Sequence, residues 1–353
     1  MRAAAPELVV TNFNRNFTGV SATAAAVTRQ LARQFDLRLC GHPLPGVDAP
    51  IGRVAALRAS SGRPDGRPFV IWHVRRNSEM QWALFARDML RRPIRIVFTS
   101  AAQRLHSAWP RLLISRMDAV IATTDAAASH VPHVRAVVPH GVDTEMFEPA
   151  PDRSAAWAAS GFPGGRGIAC VGRLRPEKGT DLFVRAMMDV LPRFPDTTAV
   201  LFGLAQSQDQ AFVDGLRKDI AAAGLTDRFV FTGEIAPDRF AKLLPAFSLL
   251  VAPPRYEGYG MTVLEAMAAG VPFVASDTGI FKIAAGDGDV GEVVPVDDWH
   301  ALSGAVERWI ANPQRIATAA ISARSRAVDR FSVAREASGI AEVYRDLWAG
   351  KTA

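Results

Sequence analysis

The sequence of 353 residues has only 2 cysteines, Cys40 and Cys170. Two thiols are too few for a disulfide framework or a structural zinc cluster, so both classes of protein are excluded. No unbroken apolar run approaches the ~18 residues of a membrane-spanning helix, and the first residues lack the pattern of a signal peptide. With 49% hydrophobic and 22% charged residues, the composition predicts a globular protein, which we expect to be cytoplasmic.

Lysine is also scarce, and nearly all of the 41 basic residues are arginines. With 35 acidic residues, the net charge is +6. The excess is local, since residues 73–116 carry nine arginines against Glu79 and Asp88. A local basic surface favours an anionic partner, such as an acidic acceptor or the inner face of the cytoplasmic membrane. A solvated basic face, or a coding bias towards arginine, is the alternative interpretation.

Short apolar runs alternate with longer helical patterns along the chain. The predicted strands are 8–13, 69–73, 94–99, 119–123 and 136–139, followed after a break by 168–172, 198–203, 229–233, 249–252, 273–276 and 293–296. Most are continuous apolar runs, which is typical of parallel strands buried on both faces. Strand–helix–strand alternation of this kind predicts α/β sheets with right-handed crossovers.

A stretch rich in Pro, Gly, Ala and Ser at 148–167 divides the chain into two α/β halves. We predict two doubly wound, Rossmann-like domains, one over 1–148 and one over 149–332. Two α/β domains of similar size usually bind ligand in a cleft, at the carboxyl ends of their strands. A final amphipathic helix is predicted at 333–348.

One glycine-containing motif predicts a binding site for an anion. Residues 256–270 read YEGYGMTVLEAMAAG, with a helix predicted in the second half. Gly258 and Gly260 permit close backbone approach, and the freed amides and dipole of a helix N-terminus favour an anion. Glu257 and Glu265 would flank these donors, which suits a ligand with both phosphates and hydroxyls. A plain glycine turn with Glu257 as a solvent-facing cap is the alternative.

A cationic loop follows the first predicted strand of the second half. Residues 170–179 read CVGRLRPEKG, which places Arg173 and Lys178 between a strand and a helix. Two cations at this position could clamp a diphosphate, because arginine gives forked contacts and lysine a point charge.

Together these motifs resemble those of a known family. In chain order, VGRLRPEKG, FTGE and EGYGMTVLEAMAAGVPFVAS resemble the nucleotide-binding half of the GT-B retaining glycosyltransferases of family 4. In the first half, Thr18-Gly19-Val20 and residues 138–147, VPHGVDTEMF, resemble further elements of the family, with His140 in place of its usual Asn. The resemblance spans nearly the whole chain. It implies a GT-B fold in which residues 333–353 pack back on the N-terminal domain.

The resemblance implies transfer from a nucleotide-sugar donor with retention of configuration and without a metal or other cofactor. Arg173 and Lys178 would hold the diphosphate and neutralise the leaving group while the acceptor hydroxyl attacks the same face of the sugar. Glu265 would bind the ribose hydroxyls, and Glu257 would contact the donor sugar. Further donor contacts are implied near the base and along the glycine loops, from Gly19, Glu234, Ile235, Gly258, Gly260, Met261 and Thr262.

The family often has a histidine beside the donor sugar. More than one residue of this sequence is a candidate for the equivalent position. Ser100 stands near the expected position, whereas His73 ends a predicted strand and is our candidate for a catalytic role; a structural histidine in the interior is the alternative. His106 is a further candidate, for binding the acceptor. The run 287–289, Asp-Gly-Asp, mimics a metal-binding DxD, but turn-forming residues on each side predict a turn.

Residues 72–80 and 97–106 resemble one branch most closely, the lipopolysaccharide-core mannosyltransferases of α-proteobacteria, which use GDP-mannose. This resemblance implies a lipid-linked or anionic acceptor, and we expect Arg75, Arg76 and His106 to bind it. The arginine-rich segment 73–116 would contact the inner membrane peripherally. The alternatives are a UDP-glucose or UDP-galactose donor or another glycan acceptor, a nucleotide sensor without catalysis, and a nucleic-acid-binding protein, which would leave the two glycine-loop motifs unexplained.

Overall fold

The apolar strands form two parallel sheets in the computed structural model, which describes residues 5–16, 19–102 and 105–351. The chain divides into unit 1, residues 1–141 and 331–353, and unit 2, residues 142–330. Within the described ranges, each unit contains a sheet of six strands. The predicted α/β fold with two domains is confirmed. The first boundary between the units follows residue 141, whereas the sequence predicted it after residue 148.

The sheet of unit 1 has the strand order β2-β1-β3-β4-β5-β6, and its paired strands are parallel. Its elements are β1 (Leu8–Asn12), α1 (Gly19–Ala32), β2 (Leu37–Gly41), α2 (Arg53–Ala59), β3 (Val70–Val74), α3 (Asn77–Leu84), β4 (Ile94–Ser100), α4 (Ala108–Ile114), β5 (Ala119–Ala122), α5 (Asp125–Ala128) and β6 (Val134–Val137). A single π-helical turn, Phe85–Met89, extends α3.

The sheet of unit 2 has the order β12-β11-β10-β7-β8-β9 and is also parallel. Its elements are α6 (Arg153–Ser160), β7 (Arg166–Val171), α7 (Thr180–Val190), β8 (Thr197–Phe202), α8 (Gln210–Ala222), β9 (Phe229–Gly233), α9 (Pro237–Leu243), β10 (Leu249–Ala252), α10 (Met261–Ala268), β11 (Phe273–Ser276), α11 (Phe281–Ala285), β12 (Gly291–Val294), α12 (Trp299–Ile310) and α13 (Pro313–Phe331). The last helix, α14 (Val333–Trp348), belongs to unit 1.

The apolar face of α14 lies in the core of unit 1. Ala337, Ile340 and Tyr344 are at most 1% exposed, and they share one apolar cluster with Leu8 and Val10 of β1. Helix α14 also packs along α1. Because α14 covers one face of the central strands, those strands can consist of continuous apolar runs.

Both sheets contain a point at which the strand order reverses. In unit 2 it lies at β7, which pairs with β10 on one side and β8 on the other; in unit 1 it lies at β1, between β2 and β3. In open α/β sheets, ligands bind outside the carboxyl ends of the strands at such points. The loops that follow β7 and β10 are those that carry the predicted donor-binding residues. No helix in the described ranges is long and apolar enough to cross a membrane.

Candidate active site

The loops after β7 and β10 bring two predicted site residues into contact. Lys178 Nζ lies 2.6 Å from Glu257 Oε2, and both side chains are largely buried, with 27% and 21% exposure. Arg173, on the same loop as Lys178, is exposed and makes no hydrogen bond or ion pair with any other described residue. The edge of the sheet therefore offers one cation paired to a carboxylate and one that is available to an anion.

Arg255 holds the two loops together, and the sequence analysis did not identify it. Its guanidinium donates to both carboxylate oxygens of Asp181 at 2.8 Å and contacts Asp297 at 2.7 Å. It also donates to the carbonyl of Pro176, and its backbone amide donates to the carbonyl of Glu177 at 3.0 Å. Nothing in the sequence distinguishes this arginine from the many others, because its partners come from two distant segments, 176–181 and Asp297.

Gly179 allows the same loops to approach each other. Its φ is +67°, and a Cβ atom there would lie 1.8 Å from the carbonyl oxygen of Pro253, so no other residue fits without movement of the backbone. The close approach sets the spacing between the loop of Lys178 and the loop of Glu257.

The second glycine loop ends at the N-terminus of α10. Gly260 has φ +109°, and a Cβ atom there would lie 2.2 Å from the ring of Phe281, whereas the space beside Gly258 is open for at least 4 Å. The amide of Gly258 donates to Glu257 Oε1 at 2.9 Å. Met261 and Thr262 form the first turn of α10, whose amides have no acceptor within the helix. These groups are suited to bind phosphate or sugar oxygens.

Glu265 lies one turn into α10. Burial raises the pKa of its carboxyl group to about 7. The side chain makes no hydrogen bond or ion pair with any other described residue, so its oxygens are available to hydroxyl donors from a ligand. Ile235, half-buried, and Glu234, exposed, follow β9 at the same edge of the sheet.

The first predicted site residue of unit 1 is Gly19, which begins α1. Among the described residues, no atom lies within 4 Å of the position that its Cβ would take. Thr18, which precedes it in the motif, lies outside the described residues.

His73 lies in the interior and not at the surface. It is 0% exposed, its Nδ1 bonds to the hydroxyl of Tyr344, and its Nε2 lies 2.7 Å from Oγ1 of Thr99. Burial, and secondarily the charge of Arg75, lowers its pKa well below the usual range. These contacts fit the structural alternative, because both ring nitrogens have hydrogen-bond partners in the interior.

Arg76 is held by buried partners. Its guanidinium donates to Asn12 and to Glu79, each at 3.1 Å, and to the hydroxyl of Ser21 at 3.1 Å. Glu79 is 0% exposed and also accepts from Thr11 and from backbone amides, including that of Arg75 at 2.8 Å. Arg76 and Glu79 thus tie the β1 and β3 loops together. From the sequence, Glu79 was recognised only as one of the two acidic residues of segment 73–116, and its role as a hydrogen-bond acceptor was not predicted.

His106 lies half-buried between β4 and α4. His140 lies after β6 with its Nδ1 2.7 Å from Oε1 of Glu336 on α14. The predicted turn at 287–289 lies between α11 and β12, where the carboxylate of Asp289 accepts two bonds from Arg326 at 2.8 and 3.0 Å.

Comparison with known proteins identifies the family. The sequence model of the protein family "Glycosyl transferases group 1" matches residues 158–326. The lipopolysaccharide core biosynthesis mannosyltransferase LpsB of Rhizobium meliloti (strain 1021) is 40% identical over 347 residues, which cover 97% of each chain. The corresponding protein LpcC of Rhizobium leguminosarum bv. viciae is 40% identical over 344 residues, 97% of this chain and 96% of the other. The chain is a group 1 glycosyltransferase.

The fold of this glycosyltransferase is shared with distant enzymes. The structure of HepE from Anabaena in complex with UDP superposes with a TM-score of 0.81 at 18% identity, covering 96% of this chain and 100% of that one. The matched family region, 158–326, lies entirely in unit 2, which carries the Lys178–Glu257 pair and Glu265. The predictions of a glycosyltransferase and of its two-domain α/β fold are therefore confirmed.

Proposed function

We propose that this glycosyltransferase moves mannose from GDP-mannose to an acceptor in the lipopolysaccharide core, with retention of configuration. The observation that carries the proposal is 40% identity over 97% of the chain to a relative named as a lipopolysaccharide core mannosyltransferase. The site of unit 2 supports it, because cations, open amides and a carboxyl group lie where a nucleotide diphosphate sugar needs them.

In this proposal the cations of unit 2 stabilise the leaving group. Arg173 and Lys178 bind the diphosphate. Lys178, whose Nζ lies 2.6 Å from Oε2 of Glu257, is shared between the phosphate and that carboxylate. Glu257 accepts from hydroxyls of the donor sugar and Glu265 from the ribose. The amides of 258–262 bind sugar and phosphate oxygens.

The proposed reaction breaks the bond between the anomeric carbon and the diphosphate oxygen, which retains the electron pair. The acceptor hydroxyl attacks the same face, and its proton passes to the departing diphosphate. Preorganised cations at that oxygen supply the main protein contribution. In this scheme two side-chain cations perform the charge neutralisation, and no metal or other cofactor takes part. Ile235 and Glu234 lie near the base.

Thermal unfolding with GDP, UDP, ADP and CDP tests the donor. A nucleotide at 100 times its Kd stabilises the protein by about 2.7 kcal/mol. We expect a rise in Tm with GDP that is lost in the Arg173→Ala/Lys178→Ala variant. A rise with UDP alone would replace GDP-mannose by a UDP-hexose, and no rise with any nucleotide would contradict the donor site. Transfer of labelled mannose to lipopolysaccharide from a core-truncated strain then tests the acceptor.

The Glu257→Gln variant separates an enzyme from a nucleotide sensor. We expect it to retain the GDP-dependent rise in Tm and to lose transfer. Because Glu257 contacts Lys178, Glu257→Gln also frees that lysine, so nucleotide affinity should not fall.

We also propose that unit 1 contacts the membrane peripherally, through a smaller surface than segment 73–116 as a whole. Within the segment, Arg87 and Arg95 both pair with Asp118, and Arg116 pairs with Asp88, so much of its charge is neutralised locally. Arg111 on α4, in contrast, is exposed and has no partner among the described residues.

Exposed apolar side chains lie on and just before the same helix. Leu105, Trp109 and Leu112 are 64%, 55% and 54% exposed, and a pocket of about 580 Å³ lies between α4 and residues 129–132. An aromatic residue with leucines and an unpaired arginine is the composition of an interfacial membrane contact. We expect binding to vesicles with phosphatidylglycerol and not to pure phosphatidylcholine. Trp109→Ser should weaken binding, whereas Ile321→Ser, which removes a 75% exposed residue of unit 2, should not.

A further inference from the structure

Two buried polar atoms at the carboxyl edge of the unit 1 sheet lack partners. Nη1 of Arg75, which follows β3, is screened from solvent and has no hydrogen-bond partner among the described residues, and the same is true of Oγ1 of Thr123, which follows β5. Thr123 is 1% exposed. Since buried polar groups nearly always find a partner, each such atom requires an explanation.

The strand register brings these atoms to the same part of the edge. Val74 is paired with Phe98 of β4, and Ser100 is paired with Ala122 of β5. Arg75 and Thr123 therefore follow two strands that are separated by β4 alone, a distance of about 10 Å at the usual strand spacing. An arginine side chain together with an oxyanion spans this distance.

The side chains of Arg75 and Thr123 both face α14. His73 contacts Tyr344 of α14, and the alternation of a strand directs Arg75, two residues later, to the same face. Ile121 lies in the apolar cluster that contains α14, so the same alternation directs Thr123 there. The hydroxyl of Ser100 also has no partner in the described ranges, but it faces the opposite side of the sheet.

Two carboxylates near Arg75 are already hydrogen-bonded to other groups. Glu79 accepts from Thr11 and Arg76, and Glu336 accepts from His140 Nδ1 and the amide of Gly141, both at 2.7 Å. Burial lowers the pKa of Arg75, and Tyr344, Glu336 and Glu79 offset this effect in part. Nη1 of the half-buried Arg75 is therefore screened from water with no direct counter-ion among the described residues, which is unfavourable unless a ligand provides one.

We propose that Arg75 and Thr123 form a subsite for an oxyanion, a carboxylate or a phosphate, on the acceptor. The guanidinium gives forked bonds to such a group and the hydroxyl donates one more. The assignment to the acceptor rests on the proposed function, whereas the anion site itself does not. Arg76, which is bound to Glu79, Asn12 and Ser21, is not part of the subsite.

The test compares thermal unfolding in inorganic phosphate, acetate and chloride at equal ionic strength. The background is the Arg173→Ala/Lys178→Ala variant, which lacks the cations of the donor site. We expect at least one of the two oxyanions to raise Tm by about 2–4 °C relative to chloride, a size typical of weak binding to a domain of about 150–250 residues. Arg75→Gln should abolish the difference and Thr123→Val should reduce it. The control Arg58→Gln, which removes an exposed arginine of α2, should leave it unchanged.

The outcomes separate the two proposals. A response to phosphate alone points to a phosphorylated acceptor, a response to acetate alone to an acidic sugar, and a response to both to a general oxyanion site. If Arg75→Gln lowers Tm equally in all three salts, Arg75 is structural and the subsite is wrong; the subsite also fails if neither oxyanion raises Tm. Failure of GDP to stabilise the wild-type chain would instead contradict the proposed function and leave the anion result standing. Hydrogen exchange localises the response, since phosphate binding should slow exchange at residues 97–102 and 119–124.

Discussion

The carboxyl group of Glu265 lies one turn into α10, and burial raises its pKa to about 7. The folded protein therefore binds a proton there more tightly than the unfolded chain does. By linkage, the contribution of Glu265 to stability is greatest below the ordinary pKa of a glutamate and is lost as pH rises through about 7. We expect the free energy of unfolding to fall by about 1–3 kcal/mol across this window on account of Glu265. Urea unfolding at several pH values measures it.

Glu265→Gln is the matched variant for this effect. It keeps the size of the side chain and removes its titration, so the decrease in stability between about pH 5 and pH 8 should be smaller than in the wild type. The affinity for GDP should show the opposite trend in the wild type, rising with pH, because the ionised carboxylate is the better acceptor for ribose hydroxyls. An identical pH profile in both proteins would contradict the assignment.

The Lys178–Glu257 pair provides a second prediction at the scale of residues. Both groups are mostly buried and lie 2.6 Å apart, so a double-mutant cycle with Lys178→Met and Glu257→Gln should give a coupling energy of about 0.5–1.5 kcal/mol. Bound GDP should reduce this coupling, because the ammonium group then also contacts phosphate. Equal coupling with and without GDP would mean that Lys178 does not reach the diphosphate.

At the scale of elements, Arg255 determines how the turn after β7 meets the loop after β10. Its forked bonds to Asp181, with its contacts to Asp297 and Pro176, join three segments. Lysine cannot reproduce this fork. We expect Arg255→Lys to weaken GDP binding about tenfold and to lower kcat, and Arg255→Gln to do more.

The control for Arg255 is Arg193→Lys. Arg193 pairs with Asp189 and Glu307 in the same unit but on the outside of α7, with 44% exposure. Calorimetry with GDP should show no change in affinity for this variant. A loss of Tm in Arg255→Lys without any loss of GDP affinity would show that Arg255 stabilises the unit without positioning the site.

Most strands could be predicted directly from their apolar runs. For two of the elements that were not predicted, the physical reason can be identified. β2 (Leu37–Gly41) was not predicted because it lies at the edge of the sheet and alternates, with Arg38 exposed. α13 (Pro313–Phe331) was not predicted because its buried stripe consists largely of Ala319, Ala323 and Ala327. Such a stripe gives little apolar contrast in the sequence.

At the scale of the whole molecule, the chain returns to unit 1 through α14. Ala337 of this helix is 1% exposed within the core cluster of β1 and α1. Ala337→Asp buries an unpaired charge there and should lower the free energy of unfolding of unit 1 by about 3 kcal/mol or more. Ser338→Asp, on the exposed face of the same helix, should change it by less than about 0.5 kcal/mol. Calorimetry measures both.

The sequence by itself determined the α/β class, the position of α14 in the chain, the glycine loops and the candidate residues for a donor site. These features depend on local periodicity, on glycine at positive φ and on motifs within a few residues, all of which are visible in order along the chain. Arg173, Lys178, Glu257 and Glu265 could be named for that reason.

Only the tertiary structure decided the environment of each side chain. It placed both ring nitrogens of His73 in interior hydrogen bonds and occupied Arg76 with Glu79, and it gave Nη1 of Arg75 no partner within the described part of the chain. It also assembled Arg255 with acceptors from two distant segments. Hydrogen bonding and burial depend on residues that are distant in the chain, so a short motif cannot distinguish a buried histidine from a catalytic one, or a paired arginine from a free one.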